Sequence, residues 1–183
     1  MNWLNTGFVL GAAFLAVFAE AAFGGARNLL GAQIDLLPPL MVYAGLGSGI
    51  TTVTLVAVCG GLCFDSLSAN PLGVTVLPLF TIGLAIHLKQ DLILRDETFA
   101  RLVLGLSASA AAPVMTLLLL LSMGRSPLVG WGTLWQLVVL SVGGAVATPV
   151  WFEIFGWLQR TLVHHRSVES SFRPDRQIRR GRM

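Results

Sequence analysis

Six apolar runs separated by short polar segments make up most of this chain of 183 residues. They cover residues 7–26, 36–48, 50–64, 72–88, 102–122 and 133–158. A helix of about 20 apolar residues is long enough to cross roughly 30 Å of hydrocarbon. Only 11% of the residues are charged, and a soluble protein of this composition would expose too much apolar surface. We therefore predict an all-α polytopic integral membrane protein.

The second and third runs leave the number of spans open. Both are short, and the first of them, residues 36–48, would form only about 20 Å of helix. The glycine-rich sequence Gly45-Leu46-Gly47-Ser48-Gly49 separates the two runs. They form either two short spans joined by a tight hairpin or one long tilted helix. The flexible glycines favour the hairpin, so we predict six transmembrane helices, with five as the alternative.

The segment from Cys59 to Leu77 combines one carboxylate, Asp65, with a turn rich in Ser, Asn and Pro. Asp65 follows an apolar run, where the helix dipole disfavours an anion and desolvation adds to the cost. We expect compensation from N–H groups of residues 66–70 or from an arginine. Asn70 and Pro71 are placed to cap and begin the next helix. These features predict a structural, partner-positioning turn rather than a catalytic site.

Two further carboxylates stand near the ends of apolar runs. Glu20 interrupts the first run away from its centre, which favours a structural polar contact over a proton or ion site. Asp35 precedes two leucines and two prolines. Because proline is tolerated in a first helical turn, Asp35 is expected to be the N-cap of the short second helix.

No pattern in the sequence indicates an enzyme. No Ser/His/Asp set, metal cluster or pair of carboxylates converges on one predicted face, so we assign no catalytic, cofactor-binding or metal-binding residues. Cys59 and Cys63 lie four residues apart within one apolar run. We interpret them as small core-filling side chains, because a disulfide or a metal site requires a different geometry.

Basic residues are concentrated at the C-terminus, where the last 24 residues contain seven of the twelve Lys and Arg residues. We divide the chain into a transmembrane helical domain, residues 1–160, and a basic tail, residues 161–183. The tail is expected to be disordered and attracted to an anionic lipid leaflet. No interleaved aromatic pattern supports nucleic-acid binding.

The positive-inside rule orients the predicted spans. With six spans, ten of the twelve basic residues share one side, and only Arg27 and Arg125 lie on the other. With five spans the division is eleven against one. Both divisions place the C-terminus in the cytoplasm and the Asp65 turn outside. Residues 1–6 contain no Lys or Arg, so the first run is expected to be a retained helix rather than a cleaved signal.

The middle of the chain, residues 30–105, resembles the family of bacterial rod shape-determining proteins called MreD. Four features carry the resemblance: Asp35-Leu36-Leu37 opening a short helix, Gly60-Gly61-Leu62 followed by Asp65 and Ser68, the sequence Pro71-Leu72-Gly73, and the polar connection after the fourth span. The last two runs agree with the family in placement. Glu20 and the Arg-rich tail are not part of the resemblance.

The resemblance implies a non-enzymatic scaffold of the cell-elongation complex in the bacterial cytoplasmic (inner) membrane. Expected partners are MreC, MreB, and the glycosyltransferase and transpeptidase that synthesise lateral peptidoglycan. MreD-like proteins are similar in fold to the substrate-binding S components of energy-coupling-factor vitamin transporters, so an S component or another small-solute carrier is the alternative function. We expect structural or partner-positioning roles for eight residues: Glu20, Asp35, Gly61, Asp65, Ser68, Asn70, Pro71 and Gly73.

Overall fold

The computed structural model describes residues 3–22, 31–68, 70–90, 98–125 and 130–167. In these ranges the chain forms helices and turns and contains no strand, which confirms the all-α prediction. The helices are α1 (Trp3–Ala22), α2 (Leu37–Gly47), α3 (Ile50–Leu67), α4 (Val76–Lys89), α5 (Thr98–Ser122) and α6 (Trp131–Ser167). Helices α1, α3, α5 and α6 are long and apolar enough to cross a membrane, whereas α2 and α4 are shorter apolar helices.

Internal contacts divide the chain into two units, Met1–Trp151 and Phe152–Met183. The second unit begins within α6, and its described part is the end of that helix. Because α6 continues to Ser167, residues 161–167 of the predicted disordered tail are helical. The rest of the predicted tail, residues 168–183, lies outside the described residues.

Helices α2 and α3 form the predicted hairpin, so the alternative of one long tilted helix is wrong. Helix α2 ends at Gly47, and its C-cap residue Ser48 has an extended backbone and donates its N–H to the carbonyl oxygen of Ala44 at 3.0 Å. At the opposite end of α2, the Leu37 side chain lies against Gly60 of α3. The two helices therefore run antiparallel, with Ser48-Gly49 as the turn.

The first helix runs parallel to α3. Near its start, the Thr6 and Thr52 hydroxyl groups share a hydrogen bond of 2.8 Å, and the Asn5 side-chain amide donates to the Ser48 hydroxyl at 3.1 Å. About two turns further along α1, the Ala13 side chain lies beside Gly60 of α3. Thus α1 and α3 end at one end of the bundle, which we call the Asp65 end.

Helices α4, α5 and α6 complete the bundle. Helix α4 begins against Gly61 at the Asp65 end and passes Gly45 near its own C-terminus, where the ring nitrogen Nδ1 of His87 lies 3.3 Å from the Gly45 carbonyl oxygen. Helices α5 and α6 cross where Gly105 faces Thr148, and they run antiparallel. The pairs α1–α2, α2–α3, α3–α4 and α5–α6 are therefore antiparallel.

Helix α2 lies at the centre of this arrangement. All ten residues from Leu37 to Leu46 are buried, and α2 contacts α1, α3, α4 and α5. Its 11 residues form only about 16 Å of helix, which is too short to cross a bilayer as a lipid-facing segment. Enclosure by four neighbouring helices explains how so short an apolar helix is accommodated.

Candidate functional site at the Asp65 end

Asp65 occupies the last turn of α3 and is 1% exposed. Its Oδ2 accepts hydrogen bonds from the backbone N–H of Gly73 at 2.8 Å and of Thr75 at 3.1 Å. Its Oδ1 accepts a hydrogen bond from the Thr75 hydroxyl. The compensation predicted from residues 66–70 is therefore wrong, because the donors come from residues just before α4.

The position of these donors explains why a carboxylate is tolerated here. The C-terminal dipole of α3 disfavours an anion, but the N-terminal dipole of α4 favours one. The turn formed by residues 72–75 folds back over Asp65 and directs its N–H groups towards the carboxylate. Asp65 thus links the end of one helix to the start of the next.

Asn70 and Pro71 do not have the predicted roles of helix cap and first helical residue. Helix α4 begins at Val76, after the turn, and no side chain of the preceding residue caps it. The Asn70 N–H instead donates to the Ser68 hydroxyl at 3.3 Å, and the Pro71 carbonyl oxygen accepts from the Val74 N–H at 3.3 Å. Asp65 supplies the acceptor that a capping residue would otherwise provide.

The remaining motif residues support this turn. The Ser68 hydroxyl donates to the Asp65 carbonyl oxygen at 3.3 Å. A Cβ at Gly61 would lie 2.9 Å from the Val76 Cα, so glycine permits the close approach of α3 and α4. Gly73 has a φ of +92°, a left-handed conformation that side chains rarely adopt. The motif thus forms one connected structure.

Glu20 and Asp35 lie beside each other at the same end of the bundle. The Glu20 carboxylate accepts a hydrogen bond from the Leu36 N–H, which ties the end of α1 to the start of α2. The Asp35 Oδ1 accepts from the Leu37 N–H at 2.9 Å, as a capping side chain does, although Leu36 occupies the N-cap position. Burial raises the pKa of the Asp35 carboxyl to about 6, and the Leu37 N–H opposes this shift.

The substitution Asp35→Asn is expected to reduce the pH dependence of the bundle's stability. The pKa of the Asp35 carboxyl is higher in the folded chain than its ordinary value of 3.8, so binding of a proton to Asp35 favours folding. This stabilising contribution is fully present below pH 4 and is lost as the pH rises through 6. Asparagine stays neutral and keeps an acceptor for the Leu37 N–H. The variant should therefore melt a few degrees above the wild type at pH 7, since the raised pKa of Asp35 corresponds to at most about 3 kcal/mol.

Thermal unfolding of the detergent-solubilised protein between pH 4 and pH 8 measures this effect. The matched control is Glu153→Gln, which changes an exposed carboxyl in α6 and should leave the profile unchanged. If the melting temperature of the Asp35→Asn variant falls between pH 4 and pH 8 as steeply as that of the wild type, Asp35 is not the source of the pH dependence.

A cavity of about 290 Å³ opens beside Glu20. Gln33, Phe64 and Ser68 also line it, so it is bounded by α1, by the connection before α2 and by the end of α3. This cavity could not be predicted from the sequence, because its walls come from three separate segments. Thr75 was also missed, although a threonine directly before an apolar run is a common signal of a helix start.

The two cysteines are free thiols, but their positions differ from the prediction. Cys63 is half-buried, whereas Cys59 is exposed on the outer face of α3 and does not fill the core. Within the described ranges, no group of three or more His, Cys, Asp and Glu side chains is placed to hold a metal ion.

Hydrogen bonds from Gly73 and Thr75 engage both oxygens of the Asp65 carboxylate, which suits a positioning role better than proton transfer or nucleophilic attack. The same end of the bundle contains the carboxylates of Glu20 and Asp35 and the cavity between α1 and α3. No family model, curated protein or solved structure matches this chain. The chemistry of these residues is therefore the basis for a functional proposal.

Proposed function

We propose that this chain is a non-enzymatic scaffold of the bacterial cell-elongation complex, of the MreD type. The observation that carries the proposal is the Asp65 turn, in which Gly61, Asp65, Ser68 and Gly73 of the resembling motif belong to one hydrogen-bonded and closely packed structure. A rigid turn at the end of a membrane bundle can hold a partner's contact surface in a fixed geometry.

The surface beside this turn offers apolar contacts. Leu67, the last residue of α3, is 57% exposed, and Leu72, in the turn before α4, is 71% exposed. Apolar side chains at the centre of a contact, surrounded by polar groups, are typical of protein interfaces. We assign this surface to a partner of the elongation complex, with MreC as the first candidate.

The same proposal places the protein in the cytoplasmic membrane with its C-terminus in the cytoplasm. The alternating helices bring the start of α1, Ser48 and Lys89 to one end, opposite the Asp65 end. Under the positive-inside rule, Lys89 and the C-terminal arginines favour the cytoplasm for that side. The Asp65 turn then faces outwards, and the Arg-rich tail is attracted to the anionic inner leaflet.

Affinity purification of the tagged full-length chain from bacterial membranes, followed by mass spectrometry, tests the scaffold function. We expect enrichment of MreC, together with MreB or the wall-synthesising glycosyltransferase and transpeptidase. The control is an unrelated tagged polytopic protein produced at the same level. Equal recovery of MreC with both baits would refute the proposal.

The cavity beside Glu20 favours one second candidate, a small-solute carrier such as an S component of a vitamin transporter. Its volume of about 290 Å³ is at the lower end of the range for small-molecule sites, about 300–1,000 Å³. A carrier must bind a vitamin-sized ligand tightly when purified. Absence of such binding, together with recovery of MreC, would exclude this candidate.

A further inference from the structure

Helix α4 is a short apolar helix that, unlike α2, has an open outward face. It has 14 residues and is therefore about 21 Å long. Four exposed side chains, spaced three or four residues apart, form this face: Leu77, Thr81, Ala85 and Leu88. Leu77 near the start of α4 is 52% exposed, and Leu88 near its end is 70% exposed. Enclosure by neighbouring helices therefore does not explain how α4 is accommodated in a membrane.

The two ends of α4 limit where the hydrocarbon layer of the bilayer can lie. A non-helical backbone exposed to lipid does not occur within the hydrocarbon region, because its polar groups would lack hydrogen-bond partners there. Residues 70–75 form such a backbone before α4, and Leu72 within it is exposed. At the other end, the sequence Lys89-Gln90-Asp91 closes the apolar stretch. The hydrocarbon layer beside α4 must therefore fit within the length of this helix.

The length of α4 differs from the thickness of a typical bilayer and from the lengths of the later helices. The hydrocarbon core is about 30 Å thick, so α4 is about 9 Å too short to cross it. Helix α5 has 25 residues, about 37 Å, and the apolar part of α6 has 31 residues, about 46 Å. A helix that is too long can tilt, whereas tilting reduces the span of a helix that is too short. The mismatch at α4 must therefore be relieved by its surroundings.

The chemistry of α4 favours lipid over protein as the neighbour of its outward face. Of the four side chains on this face only Thr81 is polar, and its hydroxyl donates to the Leu77 carbonyl oxygen at 2.6 Å. Lys89 is exposed at the end of the helix, where its apolar stem can lie along acyl chains while the ammonium group reaches water. The turn before α4 is held by the Asp65 carboxylate, so it cannot easily unwind to lengthen the helix.

We propose that the bilayer is thinned beside α4 to about the length of this helix, roughly 21 Å. The partner of the outward face is then a shell of lipid with a thin hydrocarbon layer, which short acyl chains fill with the least deformation. The bundle thus contacts lipid of different thickness on different sides. This inference requires only that the helices span a membrane, so it does not depend on the scaffold function.

Depth measurements with nitroxide labels test the thinning. The full-length protein, with Cys59→Ala and Cys63→Ala, carries one label at Leu77→Cys or Leu88→Cys in vesicles of dioleoyl-phosphatidylcholine. The depth of each label below the nearer interface follows from its accessibility to oxygen and to a water-soluble nickel chelate. Positions 77 and 88 are about 16 Å apart along the helix. Their depths should add up to about 14 Å in a layer of ~30 Å but to about 5 Å in a layer of ~21 Å, and we expect the smaller sum.

Labels at Leu4→Cys and Leu15→Cys on α1 provide the matched control. These two positions have the same spacing as 77 and 88, and both are exposed. Helix α1 has 20 residues, about 30 Å, so no thinning is needed beside it and the sum of the two depths should be about 14 Å. In vesicles of a 14-carbon phosphatidylcholine the α1 sum should decrease, whereas the α4 sum should stay unchanged.

Two results would overturn the inference. The first is a sum for the α4 labels that is as large as the sum for the α1 labels. The second is poor accessibility of the α4 labels to both reagents, since protein, from this chain or another copy, would then cover the face. All four labelled positions are exposed, so the substitutions leave the packing of the bundle intact. Neither result bears on recovery of MreC, which tests the scaffold function separately.

Discussion

Replacing Asp65 with alanine is expected to destabilise the bundle by about 3–5 kcal/mol and, if the proposed scaffold function is correct, to reduce recovery of MreC. The substitution leaves three donors without an acceptor: the N–H groups of Gly73 and Thr75 and the Thr75 hydroxyl. Thr75 is buried, so water cannot easily replace the carboxylate. Each unsatisfied buried donor costs about 1–3 kcal/mol. The measurement is thermal unfolding of the full-length protein in detergent, followed by size-exclusion chromatography with fluorescence detection.

Two variants make the Asp65 experiment specific. Ser66→Ala, one residue further along α3, removes an exposed hydroxyl that donates to the Cys63 carbonyl oxygen one turn earlier in the same helix, and it should leave stability nearly unchanged. Asp65→Asn retains one acceptor oxygen and should give an intermediate loss. Purification of MreC with the Asp65→Ala protein, below its melting temperature, then tests partner positioning separately from folding. Recovery of MreC equal to that of the wild type would exclude a positioning role for Asp65.

The second large loss of stability is expected from a substitution where α5 and α6 cross. A Cβ at Gly105 would meet the Thr148 hydroxyl and would lie 2.7 Å from the carbonyl oxygen of Gly144. That carbonyl oxygen also accepts a hydrogen bond of 2.8 Å from the Thr148 hydroxyl, which restricts its movement. Gly105→Ala must therefore separate the two helices, and we expect a loss of about 2–3 kcal/mol. Thermal unfolding in detergent measures this loss.

Gly132→Ala is the control for the Gly105 experiment. Gly132 lies in the first turn of α6, and a Cβ there would have no neighbour within 4 Å. Alanine favours a helix over glycine by about 1 kcal/mol, so this variant should be as stable as the wild type or slightly more stable. If both variants unfold at the same temperature, the crossing does not require a glycine at position 105.

The elements that depend on composition and short-range pattern were predictable from the sequence. Long apolar runs identified the membrane helices, and the glycines around Ser48 favoured the hairpin that α2 and α3 form. Gly61 and Gly73 were also identified as motif residues, and each has a backbone reason for being glycine. These signals are local, so they can be read without knowledge of the packing.

The partners of the carboxylates were not predictable in the same way. The donors to Asp65 lie eight and ten residues away, and the donor to Glu20 lies sixteen residues away. Asn70-Pro71 has the form of a helix start, yet the chain makes a further turn before α4, because this turn brings N–H groups to Asp65. A buried charge thus overrode the local preference, and only the folded arrangement reveals it.

The enclosure of α2 by protein affects how the chain is inserted into the membrane. A helix of about 16 Å cannot partition stably into a bilayer by itself, so α2 gains its position only when its neighbours are present. We therefore expect α2 to enter the bilayer together with α3, and α2 stays incompletely packed until α4 and α5 have been synthesised. Completion of the N-terminal half of the bundle thus depends on later parts of the same polypeptide.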